Sequence, residues 1–277
     1  LPLRADYRQA FLASTAVPIE AWDLSAPGFR PQLEGAVRSW SEGRGSESLM
    51  VVHGPNGSGR DRVVEHLEDQ FSADLRVLKL EIPERVTTAQ ALLRHLQALV
   101  QVEAPSWEAL AESLQEQPRT LVIVPQSQRL FLAALGGFEA MDQLLRFMTG
   151  TRKNFFWCLV MTSQSQRYLR LALSDRWYVA LTLAVPRWSE GALGQMLLAR
   201  HGGAGGTLRY SQAVLRAAEA TPGVSAESFY FHILREVSGG NPTVASELWL
   251  EATRVNAEGE VVVGLPSRKP AYRLTTL

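Results

Sequence analysis

The sequence predicts an α/β protein: a doubly wound, mainly parallel five-stranded sheet followed by a C-terminal domain built only from helices. Two observations carry this prediction. Five apolar, strand-like runs alternate with helical patterns as far as residue 185, and only helical patterns follow up to about residue 255. Strands joined through helices need right-handed crossovers, and such crossovers leave a parallel sheet covered by helices on both faces.

Five short apolar segments are the predicted strands. The third is a continuous apolar run, typical of a strand covered on both faces, whereas the second alternates between apolar and polar residues. In chain order the strands are Ser48–His53, Leu75–Ile82, Thr120–Val124, Phe155–Thr162 and Tyr178–Leu183. The helices predicted between them, from apolar residues at helical spacing, are Arg60–Phe71, Thr88–Val100, Trp107–Glu116, Phe138–Met148 and Gln166–Leu173.

Four helices are predicted in a row beyond Pro186. Gly202 and Gly203 are expected to end the first of them, and the last has Asn241 as its N-cap and Pro242 as its first residue. Their ranges are Ser189–Arg200, Ser211–Ala220, Ala226–Val237 and Pro242 to about Arg254. The predicted division is an N-terminal segment with a leading helix (1–46), an α/β domain (47–185), a helical lid domain (186–255) and a C-terminal extension with a candidate hairpin (256–277).

Composition excludes several classes of protein. Of 277 residues, 28 are Lys or Arg and 28 are Asp or Glu, so no excess of positive charge is available for wrapping nucleic acid. The single cysteine, Cys158, excludes a disulfide framework and a cysteine-based zinc site. The longest apolar run, Phe155–Met161, is much shorter than the roughly 20 residues of a membrane-spanning helix. We therefore expect a cytoplasmic protein with no membrane segment in this fragment and no nucleic acid bound through it. The initial Leu1 makes a fragment of a longer protein or of a larger assembly one interpretation.

The strongest local motif is the octet Gly54–Asp61, GPNGSGRD, which lies between the first predicted strand and an amphipathic helix. The phosphate-loop pattern in this setting is G-x-x-x-x-G-K-[ST]. Its glycines let backbone N–H groups surround an anion, its Lys contacts the terminal phosphates, and its hydroxyl binds Mg²⁺. The candidate phosphate-binding residues are Gly54, Asn56, Gly57, Ser58, Gly59, Arg60 and Asp61.

Two residues of the octet depart from the pattern. Arg60 replaces the Lys and keeps its charge on a bulkier, planar group. Asp61 replaces the hydroxyl residue, and a carboxylate about 5 Å from a phosphate oxygen is repelled by roughly 3 kcal/mol at an effective dielectric near 20. A Mg²⁺ ion bound between the carboxylate and the phosphate would turn this repulsion into attraction. Asp61 is therefore a candidate metal ligand only if a metal binds. Without a metal, an acid in the first helical turn complements the helix dipole.

With this octet, the chain resembles the P-loop NTPases of the AAA+ and STAND type from about Gln32 to Arg254. The resemblance also rests on the strand order and on the turn Gly239-Gly240-Asn241-Pro242, which is similar to the G-N-P element of origin-recognition and STAND ATPases. It implies ATP or ADP as the ligand, Pro242 beside the adenine, lid closure as the output, and protein partners or self-association. A nucleotide-free protein is equally compatible with the motif.

The acidic pair that the family carries after its third strand is missing. One acid of that pair holds the Mg²⁺ shell and the other polarises the attacking water. Here the strand is followed by Pro125 and Gln126, and Gln126 can orient water without accepting its proton. This absence favours a pseudo-ATPase over an efficient ATP hydrolase.

Three further positions follow from the resemblance. Thr162 stands where the family has a polar sensor residue, although a polar residue after a strand also serves as a helix cap. Arg176 is a candidate arginine finger for a neighbouring subunit, or one half of a surface ion pair. Thr243 occupies the position of the lid arginine.

Three functions stay open on these grounds. The first is a degenerate AAA+/STAND-like domain that acts as a nucleotide-responsive or structural regulatory module with little or no hydrolysis. The second is an active ATPase in which Asp61 holds the metal and Arg176 completes a neighbour's site. The third is a protein-interaction scaffold that binds no nucleotide.

Overall fold

The computed structural model describes residues 5–12 and 20–267 of the chain. The described residues divide into two compact units. The sheet unit comprises residues 28–185, and the helical unit comprises residues 5–12, 20–27 and 186–267. The four-part division drawn from the sequence differs from this one at its N-terminal end, and as a set of domains it stays a prediction.

Helices and strands account for most of the described chain. In chain order they are α1 Ala5–Leu12, α2 Glu20–Ser25, α3 Phe29–Ser41, β1 Leu49–Gly54, α4 Arg60–Phe71, β2 Arg76–Lys79, α5 Ala89–Val100, α6 Trp107–Ser113, β3 Thr120–Val124, α7 Glu139–Thr151, β4 Phe155–Thr162, α8 Ser163–Leu173, β5 Leu181–Ala184, α9 Glu190–Ala204, β6 Leu208–Tyr210, α10 Gln212–Glu219, α11 Ala226–Ser238, α12 Pro242–Ala252, β7 Thr253–Val255 and β8 Val261–Val263. Short 3₁₀ turns lie at Ser127–Leu130 and Ser174–Arg176. None of the helices in residues 5–12 and 20–267 combines the length and the apolar character that crossing a bilayer requires.

The five-stranded sheet confirms the predicted doubly wound fold class. Its strand order is β2-β3-β4-β1-β5, and every neighbouring pair is parallel. All five residues of β3 are buried, as are most residues of β1 and β4, because helices cover both faces of the sheet. The carboxyl ends of β1, β3 and β4 therefore meet at one edge of the sheet, where open α/β folds bind their ligands.

Two indole hydrogen bonds fix the opposite end of the sheet unit. Trp40 of α3 donates from Nε1 to the carbonyl of Arg152 at 2.9 Å, and Trp157 of β4 donates to the hydroxyl of Thr151 at 3.1 Å. Both indoles are buried, so these bonds satisfy donors that would otherwise be desolvated without a partner. They hold α3 and the end of α7 against the sheet.

The helical unit contains a small sheet, so the prediction of a domain built only from helices is wrong in this respect. Strands β6, β8 and β7 form a three-stranded sheet, with β6 parallel and β7 antiparallel to β8. β7 and β8 form a hairpin that begins at Thr253, and residues 268–277 of the predicted extension lie outside the described residues. β6 is only three residues long, and so short a run has no recognisable alternation.

Helix α9 continues through Gly202 and Gly203 to Ala204, so the prediction that these glycines end it is wrong. The buried imidazole of His201 stabilises this last turn through two hydrogen bonds. Its Nδ1 lies 3.0 Å from the hydroxyl of Tyr7, and its Nε2 lies 3.1 Å from the carbonyl of Gly206. The bond to Tyr7 joins the last turn of α9 to α1 and so helps to offset the roughly 1 kcal/mol that each glycine costs inside a helix.

The turn between α11 and α12 is tightly packed within the helical unit. Gly239 and Gly240 adopt positive φ values of 62° and 70°, and the carbonyl of Gly240 accepts a hydrogen bond from the backbone N–H of Trp188 at 2.8 Å. The side chain of Asn241 caps α12 by accepting from two backbone N–H groups, at 3.1 and 3.2 Å, and Pro242 is the buried first residue of that helix. Within this unit, the Gly-Asn-Pro element therefore has a structural role.

We predict that Gly240→Ala destabilises the protein more than Gly239→Ala. Both positions carry a left-handed strain of about 1–2 kcal/mol for a non-glycine residue. A Cβ at Gly240 would lie 2.8 Å from the carbonyl oxygen of Trp188, whereas a Cβ at Gly239 meets nothing within 4 Å. Urea unfolding followed by circular dichroism should show an additional loss of about 1–3 kcal/mol for Gly240→Ala. Equal losses would mean that the turn shifts to accommodate the methyl group.

Candidate functional site

The turn between β1 and α4 has the backbone geometry of an anion-binding loop. Gly57 and Gly59 adopt positive φ values of 76° and 89°, and Gly59 precedes the first helical residue, Arg60. The N–H of Ser58 donates to the carbonyl of Pro55 at 3.2 Å, which closes the turn. No side chain caps the N-terminus of α4, so the first N–H groups of this helix remain directed at the loop.

Ser58 is the buried centre of this loop. It is 4% exposed, and its hydroxyl is buried with no hydrogen-bond partner within the described residues. A Cβ on Gly54 would lie 2.4 Å from this hydroxyl and 3.1 Å from Cβ of Val185, so Gly54 is the residue that lets the loop fold back over the end of β1. A buried hydroxyl without a partner is energetically costly, which is consistent with a ligand that supplies one.

Arg60 spans the loop. Its guanidinium donates to Oδ1 of Asn56 at 2.9 Å, and burial lowers its pKa, an effect that the negative charge of Asp61 opposes. The guanidinium nevertheless remains cationic, as arginine does in proteins. Asp61 itself is exposed at the start of α4, so one positive and one negative group stand side by side at the loop.

An open cleft of about 210 Å³ brings four predicted site residues together. Asn56, Arg60, Asp61 and Gln126 line it, together with Pro125, Gln128 and Val160. The cleft lies between the loop after β1 and the segment after β3, as the strand order requires. The structure thus brings residues of the octet Gly54–Asp61 and of the segment after β3 together at one cleft.

The segment after β3 contributes amides and no acid. Gln126 is exposed, with a φ of 53°, and precedes the 3₁₀ turn Ser127–Leu130. The buried hydroxyl of Ser127 donates to the carbonyl of Val160 at 3.0 Å, which anchors this turn to β4. Gln128, which sequence reasoning missed, lines the cleft, and its Oε1 is buried without a hydrogen-bond partner in the described part of the chain. Its only sequence signal is a second amide two residues after Gln126.

Thr162, the candidate sensor, caps a helix. Its hydroxyl accepts from the backbone N–H of Ser165 at 3.1 Å and lies 2.8 Å from the Ser165 hydroxyl. Thr162 pairs in register with Gly54, which places it at the same sheet edge as the loop, although it does not line the cleft. The neighbouring His53 has its Nδ1 3.1 Å from the hydroxyl of Ser163, and burial lowers the pKa of this imidazole.

Arg176 belongs to the same unit as this cleft but does not line it. The guanidinium of Arg176 contacts a carboxylate oxygen of Asp142 at 2.9 Å, and the other oxygen of Asp142 contacts Arg146 at 2.8 Å. Arg176 is thus half of a surface ion pair, the second of the two roles that the sequence left open. Pro242 belongs to the helical unit, where it begins α12.

The cleft fits a phosphate group better than a magnesium ion. An anion in the cleft would meet the guanidinium of Arg60 close to the N-terminus of α4. Mg²⁺ needs near-octahedral oxygen ligands, usually including carboxylates, and Asp61 is the only carboxylate among the described residues that line the cleft. Across residues 5–12 and 20–267, no cluster of three or more His, Cys, Asp or Glu side chains could hold a metal.

We predict that Gly54→Ala destabilises the sheet unit and that Ser58→Ala partly rescues it. The added methyl group overlaps the Ser58 hydroxyl, so the loop must shift, at a cost of about 1–3 kcal/mol in the free energy of unfolding. The double variant removes the hydroxyl and should recover part of this loss. Gly35→Ala is the control, because a Cβ there meets nothing within 4 Å in α3. An unchanged loss in the double variant would contradict the proposed contact.

We also predict a pH dependence from His53. Burial lowers its pKa in the folded protein, so the folded state favours the neutral imidazole. This contribution to stability is present above the unfolded pKa of about 6.5 and is lost as the pH falls through the lower folded pKa. Denaturant titrations between about pH 7 and pH 5 should therefore show a steeper loss of stability for the wild type than for His53→Gln. Parallel curves would contradict the assignment.

Comparison with known proteins finds a family similarity for part of the chain. Residues 43–169 match the AAA domain family. No curated protein matched the sequence.

Three solved structures resemble the chain at low sequence identity. Cdc6p of Pyrobaculum aerophilum is 14% identical with a TM-score of 0.52, over 83% of this chain and 64% of its own. PCH-2 of C. elegans is 15% identical with a TM-score of 0.52, over 94% and 69%. The ORC2 protein of Aeropyrum pernix, in its ADP form, is 14% identical with a TM-score of 0.49, over 84% and 66%. The chain thus spans about two thirds of the length of each solved relative. Over residues 43–169 the chain is similar to an AAA domain, and the sheet unit that contains these residues has the α/β P-loop fold.

Proposed function

We propose that the cleft beside Gly54–Asp61 binds the phosphate groups of ATP or ADP without a divalent cation, and that the domain hydrolyses ATP slowly or not at all. It would then act as a nucleotide-responsive or structural regulatory module of the degenerate AAA+/STAND type. The observation that carries the proposal is the polar lining of the cleft: one cation, one carboxylate, two glutamines and one asparagine, with no acid between β3 and Glu139.

Phosphate binding is supported by the loop. The positive φ values of Gly57 and Gly59 bring the backbone close to the cleft, and α4 begins there with no side-chain cap. Arg60 supplies the positive charge that the family's lysine would supply, with a planar group suited to paired contacts with phosphate oxygens. Asp61 opposes binding, and its exposure to solvent moderates the repulsion.

Slow hydrolysis is supported by the segment after β3. Attack of water on a phosphoryl group needs a residue that orients and polarises the water. The amide of Gln126 can hold a water by hydrogen bonds, but it cannot accept a proton as a carboxylate does. Pro125 offers no side-chain ligand at the position where the family has the acid that binds the hydration shell of Mg²⁺.

A second candidate, an active ATPase, is favoured by one observation: Asp61 lines the cleft and could hold a metal there. In that case Arg176 would complete a neighbour's site. Its ion pair with Asp142 is at the surface, and such pairs contribute only about 0–1 kcal/mol, so releasing Arg176 would cost little.

We predict that calorimetric titration with ATP gives the same affinity with magnesium as with a chelator. Asp61→Asn should tighten metal-free binding by about tenfold, because it removes a repulsive charge that solvent partly screens. Asp69→Asn, an exposed position further along α4, is the matched control and should leave the affinity unchanged. If Asp61→Asn weakens binding and magnesium is required, the active-ATPase candidate replaces the proposal.

Steady-state hydrolysis provides the second measurement. Turnover of about 1 per second, within the ordinary range for enzymes, that is lost in Arg60→Ala would contradict the proposal. If the calorimetric titration with ATP releases or absorbs no heat and ATP does not change the melting temperature, the protein binds no nucleotide, and the interaction scaffold replaces the proposal.

A further inference from the structure

An exposed apolar surface stands on the sheet unit beside the β3–α7 connection, and neither the cleft nor the proposed function uses it. We call it the tip surface. It consists of the loop residues 132–137 and the outward face of α8. Its large apolar side chains are Leu135 (107% exposed), Leu171 (70%), Leu132 (43%) and Tyr168 (42%).

Backbone hydrogen bonds hold the loop in this exposed form. The N–H of Leu132 donates to the carbonyl of Gly137 at 2.8 Å, and the N–H of Gly137 donates to the carbonyl of Ala134 at 3.0 Å. A Cβ on Gly137 would lie 2.3 Å from the carbonyl oxygen of Leu132, so the two ends of the loop touch. Leu135 is therefore displayed at the tip of a closed loop.

Three stacked rings join the loop to α8. The ring centroids of Phe131 and Phe138, at the two ends of the loop, lie 5.7 Å apart, and each lies 6.0 Å from the ring of Tyr168. Leu171 is three residues after Tyr168 and so shares its side of the helix. The stacked rings thus place the loop that carries Leu132 and Leu135 beside the helix that carries Tyr168 and Leu171.

The charge of this surface is positive. Residues 131–138 and 163–173 contain no Asp or Glu, and the helix carries Arg167 and Arg170, which are both exposed. Arg167 is four residues before Leu171 and shares its side of the helix, whereas Arg170 lies further round α8. The combination is an apolar tip, an aromatic ring with a polar end, and two exposed cations on the same helix.

We propose that the tip surface docks on a lipid bilayer that contains anionic headgroups. Exposed leucines at a protruding tip enter the acyl boundary, tyrosine sits well at the headgroup level, and arginines are attracted to anionic lipid. A second copy of the chain fits less well. In a two-fold symmetric contact through this surface, the positively charged surface of one copy would face that of the other, and like charges would repel.

Flotation of the full chain with vesicles tests the proposal. Vesicles of phosphatidylcholine alone are compared with vesicles that also contain phosphatidylglycerol, at low and at high ionic strength. We expect binding to the anionic vesicles at low ionic strength and a marked loss at high salt. The double variant Leu135→Ser/Leu171→Ser should lower the partition coefficient at least tenfold. Leu24→Ser, at another exposed leucine, is the matched control and should float like the wild type.

The arginines are tested separately. Arg167→Gln/Arg170→Gln should lower binding to anionic vesicles about fivefold per arginine, with no effect on vesicles of phosphatidylcholine alone. Arg94→Gln/Arg216→Gln changes two other exposed arginines and is the matched control for net charge. Equal losses in the two double variants would show that total charge, and not this surface, governs binding, and would overturn the proposal.

Two further results would overturn it. One is the absence of wild-type flotation with anionic vesicles. The other is self-association of the wild type in lipid-free solution, measured by sedimentation, if the double variant Leu135→Ser/Leu171→Ser abolishes it. That result would show that the tip surface binds a second copy of the chain. All variants change exposed side chains, so their melting temperatures should match that of the wild type. Equal melting temperatures show that a loss of vesicle binding is not caused by unfolding.

Discussion

The position of the phosphate loop depends on the burial of β1 at the centre of the sheet. β1 pairs in parallel with β4 on one side and β5 on the other, and helices cover its two faces. The chain leaves the sheet at Gly54 and must start α4 within six residues, because the apolar face of α4, with Val63 and Leu67, packs back onto the core. So short a connection requires the positive φ values that glycine adopts without strain, and it directs the start of α4 at the sheet edge.

The same edge collects residues from two further strands, and this sets the chemistry of the cleft. The 3₁₀ turn after β3 brings Gln126 and Gln128 to the side opposite the loop, while Ser127 ties that turn to β4. Thr162 ends β4 opposite Gly54, where its hydroxyl is occupied in capping α8. The cleft is therefore lined by the segments after β1 and β3 and by Val160 of β4. Among the described residues that line it, the charged ones are Arg60 and Asp61, which both belong to α4.

The sequence predicted the sheet and the loop well because both depend on local, repeated patterns. The runs at Thr120–Val124 and Phe155–Thr162 are continuous and apolar, and the structure has strands with the same bounds. The sequence did not predict strand Leu208–Tyr210, because three residues are too few to show an alternating pattern. It also predicted the end of α9 too early, because the last turn of that helix is stabilised by hydrogen bonds of His201 that the sequence does not reveal. In the site, the octet was visible as a motif. Gln128 was not, because only the folded turn places it at the cleft.

The charge balance of the cleft links the unusual residues after β1 and β3. Each carboxylate about 5 Å from a phosphate adds a repulsion of roughly 3 kcal/mol before solvent screening, and a single arginine offsets about one such charge. With Asp61 already present, an acidic pair after β3 would make the cleft net negative and would exclude an anion unless a metal were bound. Amides at positions 126 and 128 keep hydrogen-bonding capacity at this edge without adding charge. A phosphate group could therefore bind beside Asp61 only because the segment after β3 carries no negative charge.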